Sequence, residues 1–267
     1  MALLLLLSRI ISGCFYLASC FNMKVYFSSY TEPAFNLAAE EYLFSSTKDE
    51  ILLLYVNAAC VVIGTNQAVL NEVNLDFCIE HDIRVLRRLS GGGAVYHDEG
   101  NLNYCFIWNQ QNGRSPLSDD FLNPIVAVLK ALNIPSEKSK RKDLWLPDGF
   151  KISGTASHVS RGREMHHGTL LYDADLEALE NALTPEFENI NKRATASVRS
   201  NVKNIAEYLA ERQQRVPTRN EFFHLFSQKT ADYCSVEELS KFSSDDVEHI
   251  EQLKKMKYIR REWNYRM

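Results

Sequence analysis

The sequence predicts an α+β fold, one domain in which mixed β-sheets are flanked by helices. Strand-like and helix-like segments alternate from residue 23 onwards. No repeat, low-complexity run or Pro- or Gly-rich linker divides the chain. The 267 residues are 45% hydrophobic and 24% charged, a composition typical of a globular domain with a sizeable core. The net charge of −4 argues against a nucleic-acid partner, because such proteins are usually basic.

The first 22 residues differ from the rest, since they are apolar or small apart from Arg9. A secretory signal carries its charge ahead of the apolar run, and a membrane-spanning helix needs about 20 uninterrupted apolar residues. Three interpretations stay open: a start placed too far upstream of Met23, a signal or anchor, or a presequence. We expect a leader of uncertain status over 1–22 and a folded domain over 23–267.

Strand and helix signals alternate in the first half of this domain. Residues 23–28 alternate as a strand does, and Thr31 with Pro33 is typical of a helix start. The next predicted elements are a hairpin of strands 51–56 and 60–64, a helix over 72–81, strands over 84–89, 94–97 and 102–108, and a helix over 119–132.

In the second half, a polar segment without periodicity over 184–200 predicts a long loop, and loops of that length are often functional. Asp173 and Asp175 suit the N-terminus of the helix that precedes it. The predicted elements of this half are strands over 143–146, 150–157 and 167–172, and helices over 173–183, 201–211, 219–229 and 245–257.

The strongest candidate site is RRLSGGGAVYHDEGN, residues 87–101. Three consecutive glycines allow a ligand to approach the backbone closely, and exposed N–H groups suit an anion. Neither GxxxxGK[ST] nor a helix-opening GxGxxG is present, because a strand follows the glycines. The flanking Arg87 and Arg88 favour a ligand-binding loop over a plain turn.

Two further segments carry candidate side chains. In FKISGTASH, Lys151 opens a strand of small residues and can serve as a fixed positive charge, although this segment alone favours an exposed strand lysine. In MHHGTLL, His166 and His167 should face opposite sides of a strand. Metal binding by both is therefore not expected, and metal ligands stay unknown.

These segments, with KDL before the lysine segment, resemble in order and spacing the lipoate–protein ligase A and lipoyltransferase family. SVRSNVKNI at 197–205, REWNY at 261–265 and the opening MKVYFSSYTEPAFNLAAEEYLF continue the resemblance over 23–267. It implies the catalytic domain of the biotin/lipoate protein ligase superfamily, with sheets around a bifurcated pocket. It also implies two steps, ATP-dependent activation of lipoate to lipoyl-AMP and transfer to a lysine of an acceptor domain.

The resemblance implies the roles of specific residues. Lys151 is expected to be catalytic and to touch both lipoate and adenylate. ATP or adenylate contacts are implied at Arg88, Gly93, Ala94, Val95, Tyr96 and Lys151. We expect lipoate contacts at Lys151, Ser90, Gly91, Gly92 and His167, with Tyr55, Val62, Ile63 and Val95 lining a slot for the tail. The resemblance also implies that Ser197, Val198 and Arg199 belong to a loop that covers the adenylate.

The expected substrates are lipoate and ATP, the latter with Mg²⁺ because attack of one anion on another needs positive charge. The expected acceptors are apo lipoyl domains of 2-oxoacid dehydrogenase subunits or the glycine-cleavage H protein. We expect a cytoplasmic monomer without membrane partners, or a mitochondrial or exported protein if the leader is real. The six cysteines lack a CxxC pair, which suits a reducing compartment.

Two departures from the family pattern matter. Lys142 stands where many members have an Asn before Asp-Leu, and the chain stops after REWNY where longer bacterial ligases continue into a small domain. We therefore expect this C-terminal accessory domain to be absent or supplied by a separate chain. A lipoyltransferase that uses only preformed lipoyl-AMP thus stays open.

Local features of the sequence argue against three other functions. An octanoyltransferase needs a cysteine nucleophile, but residues 136–150 contain no cysteine and the next one after HHGT is Cys234. Biotin ligase would need a GRGRxG-type loop, which SGGG is not. A non-catalytic protein that binds lipoyl domains would be expected to have lost Lys151 or the glycines, and both are intact.

Overall fold

The computed structural model describes residues 23–110, 117–186 and 193–266, so the leader over 1–22 lies outside the described residues. The strands are β1 (Lys24–Phe27), β2 (Ile51–Val56), β3 (Cys60–Ile63), β4 (Arg84–Arg87), β5 (Val95–His97), β6 (Asn101–Asn109), β7 (Glu137–Lys138), β8 (Leu144–Trp145), β9 (Lys151–Ser153), β10 (Thr155–Ser160) and β11 (Arg163–Leu171). The helices are α1 (Pro33–Ser46), α2 (Val69–Glu72), α3 (Leu75–Glu80), α4 (Leu122–Ala131), α5 (Leu176–Ala182), α6 (Ile205–Glu211), α7 (Arg219–Cys234), α8 (Ser244–Leu253) and α9 (Arg261–Asn264). A π-helical turn, Lys254–Tyr258, continues α8.

A mixed five-stranded sheet in the order β1-β2-β6-β11-β10 forms the centre of the fold. β1 is parallel to β2, and the other neighbours are antiparallel. Both faces of this sheet are covered. On one face Leu52, Tyr104 and Phe106 belong to a core that includes Phe121 and Phe222, from the segments of α4 and α7. The opposite face is packed against α1 and α8.

A second sheet, β4-β3-β5, lies beside the first. β3 is parallel to β4 and antiparallel to β5. The predicted hairpin of 51–56 and 60–64 is therefore wrong, because β2 and β3 pair in different sheets. Asn57, fully buried between the two strands, hydrogen-bonds to Asn36 and His97 instead of forming a hairpin turn.

Most of the other predicted elements are present with shorter or divided bounds. The predicted helix over 72–81 is two short helices, α2 and α3, and the predicted strand over 150–157 is interrupted at Gly154. The described parts of 184–200 contain neither helix nor strand, as expected. Within the described ranges no helix is long and apolar enough to cross a membrane.

Candidate active site

Two cavities meet around Lys151. The larger has a volume of about 850 Å³, and the smaller, of about 170 Å³, extends among buried side chains from the two sheets. The residues common to both are Ala94, Val95, Lys151, Gly154, Thr169, Ser197 and Val198. A wide cavity and a narrow one that share a lysine match the bifurcated pocket that the family resemblance implies.

The glycine loop connects β4 to β5 and is tightly packed. Gly92 has φ +85°, a conformation that side chains with a Cβ rarely adopt. A Cβ on Gly64 would lie 2.3 Å from the carbonyl oxygen of Gly92, so this approach also requires glycine. The chain therefore passes close to β3, so that residues 92–93 line the smaller cavity and residues 94–95 line both cavities.

Arg88 holds this loop together from inside. Its side chain is buried and donates to the carbonyl oxygens of Val62 (3.0 Å), Gly91 (2.6 Å) and Gly93 (2.7 Å), and its Nε also donates to Ser90 Oγ (3.0 Å). Burial lowers the pKa of Arg88 to about 10, so the guanidinium stays charged at neutral pH. Arg88 thus fixes the loop backbone and adds a positive charge to the wall of the smaller cavity.

Lys151 forms an ion pair at the junction. Its Nζ lies 2.9 Å from Asp143 Oδ1, and their side chains are 18% and 8% exposed. The backbone of Lys151 is anchored on both sides, since its N–H donates to Asn201 and its carbonyl accepts from Lys203. A Cβ on Gly154 would lie 3.2 Å from Lys151 Nζ, so a larger residue there would require a small shift of the ammonium group.

The two adjacent histidines face opposite sides of β11, as the alternation predicts. His166 stacks on Phe121 with ring centroids 4.4 Å apart, and its Nε2 lies 3.0 Å from Glu164 Oε2. Burial lowers the pKa of His166 to about 4. His167 lines the smaller cavity.

His167 is held by two buried partners. Its Nε2 lies 2.6 Å from Ser90 Oγ, and its Nδ1 lies 2.8 Å from Glu40 Oε2. Glu40 also accepts from the Tyr55 hydroxyl at 2.9 Å. Glu40 is a site residue that the sequence reasoning missed. It lies three residues after Leu37 and four before Phe44, on the buried face of α1. Carboxylates are rarely buried unless they are paired, so a glutamate at this apolar spacing indicates a buried polar contact.

Glu40, Cys105 and His167 also bring possible metal-ligand atoms within 4.8 Å of one another. Burial, followed by the nearby Glu40 carboxylate, raises the pKa of the Cys105 thiol well above its ordinary value. A protonated thiol is a poor ligand. The cluster therefore forms a hydrogen-bonded support for His167.

The polar segment before α6 reaches the glycine loop. Ser197 Oγ accepts from the N–H of Ala94 at 2.8 Å and from Gln67 Nε2 at 3.1 Å. The N–H of Ser197 donates to the Glu72 carboxylate at 3.2 Å. Residues 197–199 line the larger cavity, where the predicted covering loop should be.

Comparisons with known proteins show the family to which the chain belongs. The profile of the lipoyl protein ligase A/B catalytic domain matches residues 32–230. The chain belongs to this family. Lipoate-protein ligase LplJ of Bacillus subtilis is 38% identical over 237 residues, which are 88% of this chain and 70% of that protein.

Solved structures confirm the predicted fold. A bi-partite lipoate protein ligase of Thermoplasma acidophilum, studied with its E2 lipoyl domain, superposes with a TM-score of 0.76 at 24% identity, covering 92% of this chain and 96% of that one. A lipoate-protein ligase A bound with ATP gives a TM-score of 0.74 at 22% identity, covering 92% and 98%. The α+β fold with mixed sheets is thus that of the family.

Most of the predicted site residues converge on the two cavities. Gly93 and His167 line the smaller one, and Tyr96 and Arg199 the larger one. Ser90 and Gly91 line neither, since Ser90 is buried behind His167. Among the expected tail contacts, Tyr55, Val62 and Val95 line the smaller cavity, but Ile63 packs into the core on the other side of β3.

Lys142, at the position of the family's Asn, points away from the site. It has φ +64° and its Nζ donates to the carbonyl oxygen of Leu117. It lines neither cavity, whereas Asp143 next to it does. The chain therefore places the carboxylate of this motif, and not the preceding side chain, against Lys151.

Proposed function

We propose that this chain is an ATP-dependent lipoate–protein ligase. It joins the carboxylate of lipoate to AMP, releases pyrophosphate, and passes the lipoyl group to a lysine of an apo lipoyl domain. The observation that carries the proposal is the ammonium group of Lys151 at the junction of a wide and a narrow cavity, in a chain of this family.

The two cavities suit the two substrates. The larger, of about 850 Å³, is lined by backbone from the glycine loop and by 196–202, and it has room for a nucleotide. The smaller is lined by Leu37, Tyr55 and Val62, which suit an apolar tail. With the tail in the narrow cavity, the carboxylate lies at the junction, beside Lys151.

Lys151 supplies the charge for the first step. The lipoate carboxylate oxygen attacks the α-phosphorus, the bond from that phosphorus to the bridging oxygen breaks, and pyrophosphate leaves. Both reactants are anions, so a fixed cation at the junction lowers their repulsion and stabilises the developing charge. Asp143 holds Lys151 Nζ there, and Arg88 adds a second cation nearby.

Mg²⁺ is proposed to enter with ATP. Mg²⁺ prefers oxygen ligands and is usually bound through phosphates, waters and one or two carboxylates. The carboxylates of Glu72 and Glu180 line the larger cavity, so the donor set fits. The ion would offset phosphate charge there.

In the second step the neutral amine of an acceptor lysine attacks the carbonyl carbon of lipoyl-AMP, and AMP leaves. The segment with Ser197 covers the glycine loop and limits the access of water to the mixed anhydride. We propose apo lipoyl domains or the glycine-cleavage H protein as acceptors, and a monomer as the active form. If this chain alone activates lipoate but does not transfer it, we propose that a separate accessory domain is required for transfer.

No cysteine of the described residues favours the octanoyltransferase alternative. Cys60, Cys78, Cys105 and Cys234 are buried, and burial raises the pKa of Cys60, Cys78 and Cys105. Cys105 lies near His167 but lines neither cavity. Within the described ranges, the two cavities therefore offer an acyl group no cysteine thiolate.

The test is a pyrophosphate-release assay with lipoate and Mg-ATP, followed by mass spectrometry of an apo lipoyl domain. A ligase releases pyrophosphate and lipoylates the domain. Lys151→Ala should lower pyrophosphate release by about a hundredfold or more. Lys229→Ala, in an exposed pair with Asp232, is the matched control and should keep full activity.

Each other outcome identifies an alternative. Transfer from supplied lipoyl-AMP without activation of lipoate would identify a lipoyltransferase. Binding of the lipoyl domain without either reaction would identify a non-catalytic protein. Normal activation by Lys151→Ala would contradict the central role of this lysine.

A further inference from the structure

His97 lines the smaller cavity and has a buried polar atom for which no described residue supplies a hydrogen-bond partner. Its side chain is only 4% exposed, its Nε2 is buried without a hydrogen-bond partner, and the residue lines the cavity. An unpaired buried polar atom is costly, so such an atom beside a cavity points to a ligand.

A chain of hydrogen bonds determines which nitrogen of His97 carries the proton. Asn36 Nδ2 donates to the carbonyl oxygen of Tyr30 at 2.8 Å, and its Oδ1 accepts from Ser28 Oγ, which fixes the orientation of the Asn36 amide. Asn36 Nδ2 also donates to Asn57 Oδ1 at 2.9 Å. The remaining amide atom of Asn57, Nδ2, therefore faces His97 Nδ1 at 3.0 Å and donates to it.

Because Nδ1 accepts, the neutral ring carries its hydrogen on Nε2. Burial, reinforced by the charge of Arg88, lowers the pKa of His97 to about 3, so the ring is neutral at pH 7. The unpartnered group of this cavity-lining residue is thus an N–H donor and not an acceptor or a cation.

The other inner polar side chains have partners of their own. Tyr55 donates to Glu40, and Asn103 donates to the carbonyl oxygen of Tyr55 while accepting from Asn101. His167 is held between Ser90 and Glu40. Among the inner side chains of the described residues that line this cavity, His97 Nε2 is the polar atom that has no hydrogen-bond partner at all.

The cavity has the size of a small ring. Its volume is about 170 Å³, and an apolar cavity of roughly 150 Å³ can hold benzene. The tail of lipoate ends in a five-membered dithiolane ring whose sulfurs are weak hydrogen-bond acceptors. A saturated eight-carbon acid has no acceptor at that end and would leave the donor unpaired.

We propose that His97 determines specificity by donating its Nε2–H to a dithiolane sulfur, which favours lipoate over a saturated fatty acid of the same length. The proposal rests on the proposed function and names the part of the substrate that this cavity distinguishes. Sites built to hydrogen-bond a substrate group reject analogues that lack it, because the buried donor then has no partner.

The experiment measures the release of pyrophosphate that depends on added lipoate or octanoate, and it compares kcat/KM for these two substrates. His97→Phe, which removes the donor, should lower the lipoate-to-octanoate ratio about tenfold. His97→Gln can accept from Asn57 and still donate into the cavity, so it should keep the ratio within about threefold. His158→Phe, on β10 and outside both cavities, is the matched control and should not change the ratio.

A second measurement uses the unaltered protein and does not depend on the folding of variants. Two thiolane analogues of lipoate, each with one ring sulfur replaced by a methylene group, are compared with lipoate. One of them should lose about tenfold in kcat/KM. Equal kcat/KM for lipoate and both analogues, or an unchanged ratio in an active His97→Phe protein, would overturn the inference alone. Failure of the unaltered protein to release pyrophosphate with any of these acids would overturn the proposed function as well.

Discussion

Lys151 Nζ lies 2.9 Å from Asp143 Oδ1, where the two cavities of the fold meet. The pair is largely shielded from water, and both residues come from a segment of short strands, β8 and β9. The carboxylate therefore fixes the lysine at the junction and also offsets part of its charge toward anionic substrates.

Asp143→Asn should separate these two effects. Without the carboxylate, Lys151 attracts lipoate and ATP more strongly but is less well positioned, because a lysine side chain loses up to about 2 kcal/mol of conformational entropy when it is fixed. We expect KM for lipoate to fall severalfold and kcat to fall about tenfold. Steady-state pyrophosphate release measures both constants, with Asp232→Asn in the exposed Lys229 pair as control. Wild-type values of kcat and KM would show that Asp143 does not position the lysine.

Ser197→Ala tests whether the segment that contains Ser197 protects lipoyl-AMP from water. The change removes the acceptor of the Ala94 N–H and of Gln67 Nε2, so the segment should hold less firmly to the glycine loop. We expect more lipoyl-AMP to be lost to water, with AMP formed per lipoyl group transferred rising about threefold or more. Ser46→Ala, in which a helix-surface hydroxyl bonded to Tyr42 is lost, is the control. An unchanged ratio of AMP to transferred groups would argue against this role.

Arg87→Lys tests a structural connection between the C-terminal residues and the site. The guanidinium is fully buried and donates to six carbonyl oxygens, those of Gly64, Thr65, Gln67, Trp263, Asn264 and Arg266. Lysine has three donors where arginine has five, so several of these carbonyls would lose their partner. We expect the free energy of unfolding to fall by about 3 kcal/mol and Tm by about 10 °C.

Arg84→Lys is the matched control for this change. Arg84 is on the same strand, but it is exposed and forms a 3.4 Å pair with Glu32. Exposed pairs contribute about 1 kcal/mol or less. Calorimetry should show little change in Tm for Arg84→Lys, and equal effects of the two substitutions would refute the role given to Arg87.

The buried His166 predicts a loss of stability in acid. Its pKa is about 4 in the folded protein because of burial, against an ordinary value of 6.5. Between these values the unfolded chain binds a proton that the folded protein does not, so stability falls as pH drops from 6.5 to about 4. The slope is at most about 1.4 kcal/mol per pH unit for one such group. His97, with a folded pKa of about 3, adds in the same direction.

Urea unfolding at about pH 7 and about pH 5 measures this loss. His166→Gln can still donate to Glu164 but does not titrate, so it should lose about 1 kcal/mol less than the unaltered protein over this interval. The exposed His224→Gln is the control. The same pH dependence in both variants would show that His166 does not titrate as inferred.

Much of the site could be predicted because its signals are local. Three glycines before a strand, Lys151 at the start of a strand of small residues, and alternation at His166 and His167 each depend on neighbours in sequence. Polarity and length predict the loop over 184–200, whereas its covering role is implied by the family resemblance. Most of the named residues that the structure describes line the two cavities, but Gly91 and His166 line neither.

The chain by itself thus determined the α+β class, the family and the segments that form the site. Only the tertiary structure decided that β2 and β3 belong to different sheets, that Ile63 faces away from the cavity, and that Glu40 lies against His167. Glu40 and His167 are 127 residues apart. Local propensity and periodicity carry no information about contacts at that separation, because strand pairing and the packing of α1 against the central sheet create them.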